Sequence, residues 1–325
     1  MTVKRIVFVL ISALLLTFSI CSINGDERLI NASAAQVAKY NGLYFDNTGN
    51  IISLYPYHGK EAFLENLKEV TDLGEADLPV YLAIPPRKMD VLEIPEDIDL
   101  TPHKELFALA EAECSKNGLT YIDLLPVMSG DDLYFSTDHH WTSHGAYLAY
   151  REIAAALGKT PLSETSFKVE LACDSYRGSD WGKSPKPEDY TVHDSIELYY
   201  SDDYEDYVTT VVSHPYDTSE NDRVLGGMYC IEKLESWDPY TVYFEGNTPY
   251  ITIRNGEERE TLMMVRDSFA SALAPFLVLH YDIVMIDPRF YPERLSKAVE
   301  REGVSVILVL ENMGAFTENT IKISY

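Results

Sequence analysis

Apolar positions along most of the chain fall into short runs that alternate with helical patterns. Residues 78–84 form an apolar run that ends at two prolines, which predicts a buried strand. Further strands are predicted at 121–125, 262–265, 283–286 and 304–310. Helices are predicted at 59–69, 102–115, 143–157, 268–280 and 292–302. Strands that alternate with helices predict a parallel sheet covered on both faces, and therefore an α/β fold.

The pattern changes between residues 161 and 260, where Tyr, Asp, Thr and Ser dominate and apolar runs are short. Strands are predicted there at 207–212, 240–244 and 250–254. The α/β pattern resumes after residue 260. We therefore predict a β-rich insertion over 161–260 that interrupts one α/β domain, whose two parts are 26–160 and 261–325. Residues 37–49 predict a short helix or hairpin that leads into this domain.

The first residues have the pattern of an export segment. Lys4 and Arg5 precede an uninterrupted run of apolar residues, Ser and Thr over 6–23. This arrangement predicts a signal peptide or an N-terminal membrane anchor over residues 1–25, and the run is long enough to span a bilayer if it is not cleaved. Cys21 leaves a lipoprotein as a further alternative. In each case we expect the body of the protein outside the cytoplasm, secreted or held at the cell surface.

The chain is strongly acidic, with 52 Asp and Glu residues against 26 Lys and Arg and a formal net charge of -26. No basic patch is visible in the sequence, so we expect no nucleic-acid partner, because nucleic acid requires a cationic surface. Contact with a membrane is expected only through the N-terminal segment. The body contains Cys114, Cys173 and Cys230 without a C-x-x-C pair, which disfavours a structural zinc site and allows at most one disulfide.

Ser268 is the first candidate for chemistry. Sites in open α/β sheets form beyond the carboxyl ends of the strands, and Ser268 stands between the strand predicted at 262–265 and the start of a helix. Unpaired backbone N–H groups at a helix start can stabilise an oxyanion when a serine attacks a carbonyl. The alternative is that Ser268 only caps the helix.

Residues 136–144 form the second candidate segment and contain three of the eight histidines. A serine becomes a good nucleophile when a histidine takes its proton, and a carboxylate usually orients that histidine. In an extended segment Asp138 and His140 point to the same side. Asp138 can therefore hold one ring nitrogen while the other faces Ser268. This predicts Ser268 as nucleophile, His140 as base and Asp138 as the orienting acid.

Two alternatives apply to the histidine cluster. His140 and His144 would share a face if the helix began early, and Asp138 or His139 would then complete a zinc site. Against this, the helix is predicted to begin only two residues after His140, and no H-E-x-x-H motif is present. The second alternative is a purely structural role in the turn. We expect neither a metal nor a cofactor.

Other histidines lie in the predicted insertion. His193, Asp194 and His214 have no nucleophile near them in the sequence and are interpreted as surface residues. The tyrosines that concentrate in this segment suit the apolar faces of sugar rings, although tyrosine is equally common in cores.

Two separate motifs carry a resemblance to a known family. Asp138-His139-His140-Trp141 resembles the signature of the DHHW protein family, and residues 267–277 with 286–291 resemble its second block. Gly178-Ser179 and Glu245-Gly246-Asn247 stand where that family has its middle motifs. The family is similar in turn to the SGNH-hydrolase-like alginate O-acetylation proteins, which have an Asp-x-His-Trp motif early and a Gly-Asp-Ser motif late. The resemblance runs from Tyr44 to the C-terminus.

The resemblance implies an SGNH-hydrolase-like three-layer fold and the roles already given to Asp138, His140 and Ser268. It implies transfer of an acyl group, above all acetyl, to or from a cell-surface or secreted polysaccharide, with a membrane-bound O-acyltransferase as partner. Arg266 stands where the alginate proteins have glycine. The substrate or oxyanion site is expected to include Arg266, Asp267, Trp141, Asn247 and Arg289. A carbohydrate O-acetyl esterase and a non-catalytic glycan-binding protein remain alternatives.

Overall fold

The computed structural model describes residues 38–40, 42–130, 132–186, 190–212, 222–225, 227–318 and 323–325. The predicted signal peptide or anchor over residues 1–25 lies outside this part of the chain. Within the described residues, no helix combines the length and the apolar character that crossing a membrane requires.

The strands of the described residues are short and number thirteen. In chain order they are β1 (Ala38–Tyr40), β2 (Leu43–Phe45), β3 (Ile51–Ser53), β4 (Val80–Ala83), β5 (Thr120–Ile122), β6 (Lys168–Tyr176), β7 (Asp194–Tyr200), β8 (Val208–Val212), β9 (Asp222–Leu225), β10 (Tyr250–Arg254), β11 (Thr261–Arg266), β12 (Asp282–Ile286) and β13 (Val304–Leu310). β1 and β2 form an antiparallel hairpin to which β3 adds. Of the two structures predicted for the lead-in segment, the hairpin is therefore the one present.

The helices agree with the sequence pattern more closely. They are α1 (Lys60–Thr71), α2 (Lys88–Val91), α3 (His103–Lys116), α4 (Ser143–Ala156), α5 (Ser179–Lys183), α6 (Phe269–Leu277), α7 (Leu295–Glu302) and α8 (Met313–Thr317). Short 3-10 turns lie at Asp72–Glu75, Leu125–Val127, Glu164–Ser166, Asp202–Asp206, Ile231–Glu235 and Pro239–Val242. All predicted helices are present, with small shifts at their ends. The Thr142 hydroxyl caps α4 by accepting a hydrogen bond from Gly145 N, as expected for a helix that begins after His140.

A sheet of eight strands forms the centre of the molecule, in the order β5-β4-β13-β11-β12-β10-β8-β9. The first five strands in this order are parallel to one another. The last three are antiparallel to their neighbours. The central strands β11 and β12 are buried along their whole length, which explains why they appear in the sequence as continuous apolar runs.

Alternate side chains of the central strands pack into two hydrophobic cores, one on each face of the sheet. Leu262 and Met264 pack on the side of α4 and α6. Met263 and Val265 pack on the side of α1, α3 and α7. The strand period of two therefore divides one apolar run between two helical layers, and the predicted three-layer α/β fold is confirmed. Three cysteines of the described chain, Cys114, Cys173 and Cys230, are free.

Residues 161–260 contribute strands to two sheets. β6 pairs only with β7, in a separate antiparallel ribbon, whereas β8, β9 and β10 extend the main sheet beyond β12. The prediction of strands at 207–212 and 250–254 is confirmed by β8 and β10. The strand predicted at 240–244 is wrong: a 3-10 turn occupies Pro239–Val242, where Pro239 sets the first backbone angle and the Asp238 carboxylate accepts a hydrogen bond from Tyr240 N. The division of the chain at 160 and 260 stays a prediction.

Candidate active site

Ser268 lies directly beyond β11, at the N-terminal end of α6, and is partly exposed. Its hydroxyl makes no capping hydrogen bond to the helix. The cap is supplied by Asp267 instead, whose Oδ1 accepts a hydrogen bond of 2.9 Å from Phe269 N. The interpretation of Ser268 as no more than a helix cap is therefore wrong, and its hydroxyl is available for another partner.

That partner is His140. Its Nε2 lies 2.6 Å from Ser268 Oγ, and its Nδ1 lies 2.5 Å from Asp138 Oδ1. His140 is only 5% exposed and Asp138 is buried, so solvent does not compete for these bonds. The fold thus brings Asp138, His140 and Ser268 into one hydrogen-bonded series, although 128 positions separate the histidine from the serine.

The Asp138 carboxylate is held on both oxygens. Oδ1 also accepts from the backbone N–H of His140 at 2.9 Å, and Oδ2 accepts from Ser179 N at 2.6 Å and from the Tyr176 hydroxyl at 3.0 Å. Gly178 packs so close that a Cβ at this position would lie 2.2 Å from Asp138 Oδ2. The position of Asp138 therefore depends on a glycine, since any larger residue at 178 would displace the carboxylate.

The loop that carries Asp138 is anchored to β7. Asp194 accepts hydrogen bonds from Ser136 N at 2.7 Å, from Thr137 N at 2.8 Å and from the Thr137 hydroxyl at 2.5 Å. Asp194 is therefore only partly exposed and positions the loop of Asp138. The neighbouring His193 is exposed, and His214 lies outside the described residues.

Aromatic side chains orient the histidine ring. Tyr240 stacks on His140, with ring centroids 3.9 Å apart and planes within 9° of each other. The Tyr240 hydroxyl donates a hydrogen bond of 3.3 Å to the backbone carbonyl of Ser268. On the other side Trp141 donates its indole N–H to the backbone carbonyl of Phe269 at 3.1 Å. Both residues link the histidine segment to the start of α6 by hydrogen bonds, and these contacts help to keep His140 Nε2 close to Ser268 Oγ.

Burial lowers the pKa of His140 below its ordinary value of 6.5, and the adjacent His139 lowers it further against the opposing effect of Asp138. The imidazole is therefore neutral at neutral pH, with its proton on Nδ1 facing Asp138 and Nε2 free to accept from Ser268. Burial alone would raise the pKa of Asp138, but His140, His139 and the Ser179 N–H outweigh it and hold that pKa well below its usual range. Asp138 is therefore ionised, as an orienting acid must be.

A metal at this site would involve a different set of residues from the predicted one. Asp138, His139 and His140 are the side chains whose donor atoms converge closely enough, among the residues that the structure describes. His144 is not in this group, and its Nδ1 lies 3.0 Å from Glu164 Oε1. In the structure His140 Nδ1 and Asp138 Oδ1 are hydrogen-bonded to each other at 2.5 Å, as in a series that transfers a proton. The arrangement is suited to proton transfer.

A sequence model of the DHHW protein family matches residues 106–287, more than half of the chain, and the match includes Asp138, His140 and Ser268. The chain belongs to the DHHW protein family. No curated protein sequence matches it.

Two solved structures share this fold at low identity, and a third is a weaker match. A DHHW family protein from Eubacterium siraeum has a TM-score of 0.69 at 16% identity, over 88% of this chain and 95% of that chain. Bacillus cereus PatB1, in a structure with a sulfonyl adduct, has a TM-score of 0.68 at 19% identity, over 90% of this chain and 100% of that chain. The O-acetyltransferase domain of Pseudomonas putida AlgJ has a TM-score of 0.46 at 15% identity, over 87% and 91%. The fold of this DHHW protein is SGNH-hydrolase-like.

The residues expected at the substrate or oxyanion site occupy different environments. Trp141 and Arg266 are completely buried, and Asp267 is nearly so. Asp267 Oδ2 accepts from both the backbone and the side-chain nitrogen of Asn312. These three side chains are therefore part of the buried packing that supports the site. Asn247 and Arg289 are both exposed, and the Arg289 side chain keeps 32% of its accessible surface, so a role for either in binding stays a prediction.

A buried group of charges lies behind Ser268, where three central strands end. The Arg266 guanidinium donates to the backbone carbonyl of Thr248 at 3.3 Å and lies 4.0 Å from Asp287. The Arg289 guanidinium forms two hydrogen bonds to the same Asp287, at 2.8 and 2.6 Å. Burial first, and then nearby aspartates, raise the pKa of Glu311 well above its usual range. Arg266 therefore belongs to this group of charges.

Several supporting residues could not be assigned from the sequence. Tyr176 and Tyr240 contact the series and Asp194 anchors the loop before it, and nothing in their local sequence distinguishes them from the other tyrosines and aspartates of the 161–260 segment. In the sequence Gly178 stands out only as part of the family motif. A glycine before Ser179-Asp180, at the start of a short helix, is the one local sign of a close backbone approach.

Proposed function

We propose that this DHHW protein is an O-acyltransferase that moves an acyl group, with acetyl the favoured one, to a carbohydrate through Ser268. The observation that supports the proposal most strongly is the hydrogen-bonded series of Ser268, His140 and Asp138, with contacts of 2.6 and 2.5 Å. A partly exposed serine bonded to a buried neutral histidine, itself oriented by a buried carboxylate, is the arrangement that activates serine for acyl transfer.

The reaction proceeds in two steps. In the first, Ser268 Oγ attacks the carbonyl carbon of the acyl donor while His140 Nε2 takes the hydroxyl proton. A backbone N–H group near Ser268 other than that of Phe269, which is already bonded to Asp267, donates to the tetrahedral oxyanion and stabilises it. The intermediate collapses, the donor's leaving group takes the proton from His140, and the acyl group remains as an ester on Ser268.

In the second step a sugar hydroxyl attacks this ester. His140 accepts the hydroxyl proton as the new C–O bond forms, and returns it to Ser268 Oγ as the enzyme ester breaks. Asp138 stays ionised throughout and stabilises the imidazolium that forms in each step. Serine is regenerated without any net change in protons.

Carbohydrate as acceptor, a membrane-bound O-acyltransferase as donor partner and a location outside the cytoplasm form part of the proposal. They are supported by the resemblance of the Asp-x-His-Trp and Asp-Ser motifs to the alginate O-acetylation proteins. The acyltransferase partner would supply acyl groups from the cytoplasm, because activated acyl donors are made there. PatB1, which shares the fold, is described with a sulfonyl adduct. Sulfonyl reagents react with activated serine hydroxyls, so the same class of reagent is expected to label Ser268.

The test is intact mass spectrometry of the full chain after incubation with an activated acetyl ester. Wild type should gain one acetyl group, and Ser268→Ala should gain none. Ser271→Ala is the matched control, because Ser271 lies one turn further along α6 and its buried hydroxyl has no hydrogen-bond partner among the described residues. The control should label like wild type. Absence of an adduct with several donors, or equal labelling of Ser268→Ala, would refute the proposal and favour a glycan-binding protein.

The same acyl-enzyme would form in a carbohydrate O-acetyl esterase, which differs only in using water as acceptor. The two activities separate when the pre-formed acyl-enzyme is mixed with an oligosaccharide. A transferase gives acetylated sugar in preference to acetate, whereas an esterase gives acetate at a rate that the sugar does not change.

A further inference from the structure

Trp237 is the most exposed large apolar side chain of the described residues, at 93% exposure. The other two tryptophans are packed: Trp141 is completely buried, and Trp181 stacks on Tyr190 with ring centroids 5.0 Å apart. An indole is among the largest apolar surfaces a protein can offer, and it is usually buried against other residues or a ligand. Nothing in the fold of the described residues requires Trp237 to be a tryptophan.

The backbone around Trp237 is held firmly. The Ser236 hydroxyl donates to the backbone carbonyl of Asp238 at 3.0 Å, and Asp238 N donates back to Ser236 Oγ at 3.3 Å. The Thr241 hydroxyl donates to the same carbonyl at 2.6 Å. These bonds enclose Trp237 in a closed turn between two 3-10 turns. The indole is therefore presented to solvent on a rigid support, which reduces the entropy lost when a ligand binds.

This turn borders the candidate active site. Tyr240, three residues further on, stacks on His140 and donates to the carbonyl of Ser268. The Asp238 carboxyl is partly buried; its pKa is raised by burial and then by Asp138, while His140 opposes the rise. Three residues of chain span at most about 10 Å. The backbone of Trp237 therefore lies within about 10 Å of that of Tyr240, which stacks on His140, so an indole on this turn is close enough to contact a sugar chain bound at the site.

The charge around Trp237 limits what can bind there. Glu232 and Glu235 are exposed on the 3-10 turn Ile231–Glu235 that precedes Trp237, and Lys233 in that turn is paired with Glu245 at 3.3 Å. The whole chain carries a net charge of -26. A polyuronate or an anionic lipid surface would meet like charges there, whereas an uncharged or amino sugar would not.

We propose that Trp237 is the stacking platform for a sugar ring of the acceptor, and that this acceptor is a neutral or amino-sugar polysaccharide and not a polyuronate. The C–H face of a pyranose packs on the indole, and the flanking carboxylates accept hydrogen bonds from its hydroxyl or ammonium groups. This inference rests on the proposed function, because only a transferase has an acceptor sugar. Binding of the sugar to Trp237 is itself independent of catalysis.

Binding is measured first, on the full chain without any acyl donor. Trp237 is the exposed fluorophore, so chitohexaose or cellohexaose should shift its emission to shorter wavelength and protect it from acrylamide quenching. Oligogalacturonate of the same length should produce neither effect. Trp237→Phe should abolish the fluorescence response and retain partial binding in calorimetry, since it keeps an aromatic ring, whereas Trp237→Ala should lose binding. Val224→Ala is the control for loss of an exposed apolar side chain, because Val224 is 70% exposed on the edge strand β9.

Kinetics then separate the platform from the chemistry. Trp237→Ala should acylate Ser268 from a small activated ester at the wild-type rate, while KM for the oligosaccharide acceptor rises about tenfold or more, as expected for loss of one stacking contact. An unchanged KM with unchanged binding would overturn the proposal. So would slower acylation by the small ester, which would make Trp237 a structural residue.

Three further outcomes also decide the question. Equal binding of oligogalacturonate would overturn the assignment of sugar class. A fluorescence response to phosphatidylcholine vesicles but to none of the sugars would assign Trp237 to a membrane surface. Sugar binding that depends on Trp237, in a protein whose Ser268 never becomes acylated, would support the platform and refute the proposed transferase.

Discussion

Gly178→Ala is the smallest change that tests the geometry of the site. It adds one methyl group at a residue that is not itself part of the hydrogen-bonded series. The backbone at Gly178 has φ -90° and ψ -160°, which alanine adopts without strain. The effect of the substitution is therefore confined to the contact that the new Cβ makes. That contact is with Asp138, at 2.2 Å from Oδ2, 2.3 Å from Cβ and 2.6 Å from Cγ.

The size of the effect follows from these distances. Non-bonded carbon contacts settle near 3.5 Å, so Asp138 or the 178 backbone must move by about 1 Å. The Asp138 carboxylate would then lose its bonds to Ser179 N and Tyr176, and its 2.5 Å contact with His140 would lengthen. A displacement of 1 Å at a reacting group costs about 10²-fold in rate, and full loss of the orienting carboxylate about 10⁴-fold. We expect a decrease between these limits, equivalent to about 2.7–5.5 kcal/mol in activation free energy.

The assay is the rate at which Ser268 is acylated by the activated ester, followed by intact mass. Gly182→Ala is the control, because Gly182 lies in the same short helix α5 and a Cβ there would meet nothing within 4 Å. Urea unfolding of both variants shows that they are folded under the assay conditions. Acylation of a folded Gly178→Ala protein at the rate of Gly182→Ala would refute the role given to Asp138.

Two further predictions concern pH. His140 must be neutral to accept the serine proton, so the rate of acylation should fall as pH drops through its pKa, which burial places below 6.5; an acid limb above 6.5 in kcat/KM would contradict this. Burial lowers the pKa of His103, but its bonds of 2.7 and 2.6 Å to Asp90 and Asp99 outweigh burial and raise it to about 9. The contribution of these bonds to the free energy of unfolding is complete below the unfolded pKa of 6.5 and is lost as pH rises through 9. We expect a loss of roughly 1–2 kcal/mol, a reduced figure because solvent reaches part of the ring. In urea unfolding, wild type should lose this amount between about pH 6 and pH 10 and His103→Gln should not; equal losses would contradict the prediction.

Much of the α/β framework could be predicted from the sequence. The runs at 262–265 and 304–310 are apolar because β11 and β13 are covered on both faces, and the helical patterns at 102–115 and 143–157 correspond to α3 and α4. The segment 161–260 was harder, because its elements are short and depend on distant contacts. The stretch 240–244 has the composition of a strand, yet local bonds from Asp238 and the fixed angle of Pro239 make it a 3-10 turn.

The three residues of the series could also be proposed from sequence, because each chemical role restricts the residue type. Asp138 and His140 are close neighbours in the chain, and Ser268 stands where a strand meets a helix. Their actual contact could not be predicted, since it depends on how the loop after residue 135 is placed against the start of α6. Asp194, from β7, fixes that loop, and Trp141 fixes it to Phe269.

By itself, then, the sequence of this protein determined its periodicities and the residue types available for chemistry, because both are local properties of consecutive positions. Tertiary structure alone decided the rest. It placed Gly178 against Asp138, stacked Tyr240 on His140, and buried Arg266 behind the serine that it precedes. These contacts join residues far apart in the chain, and their distances follow from the packing of whole layers, which no local pattern encodes.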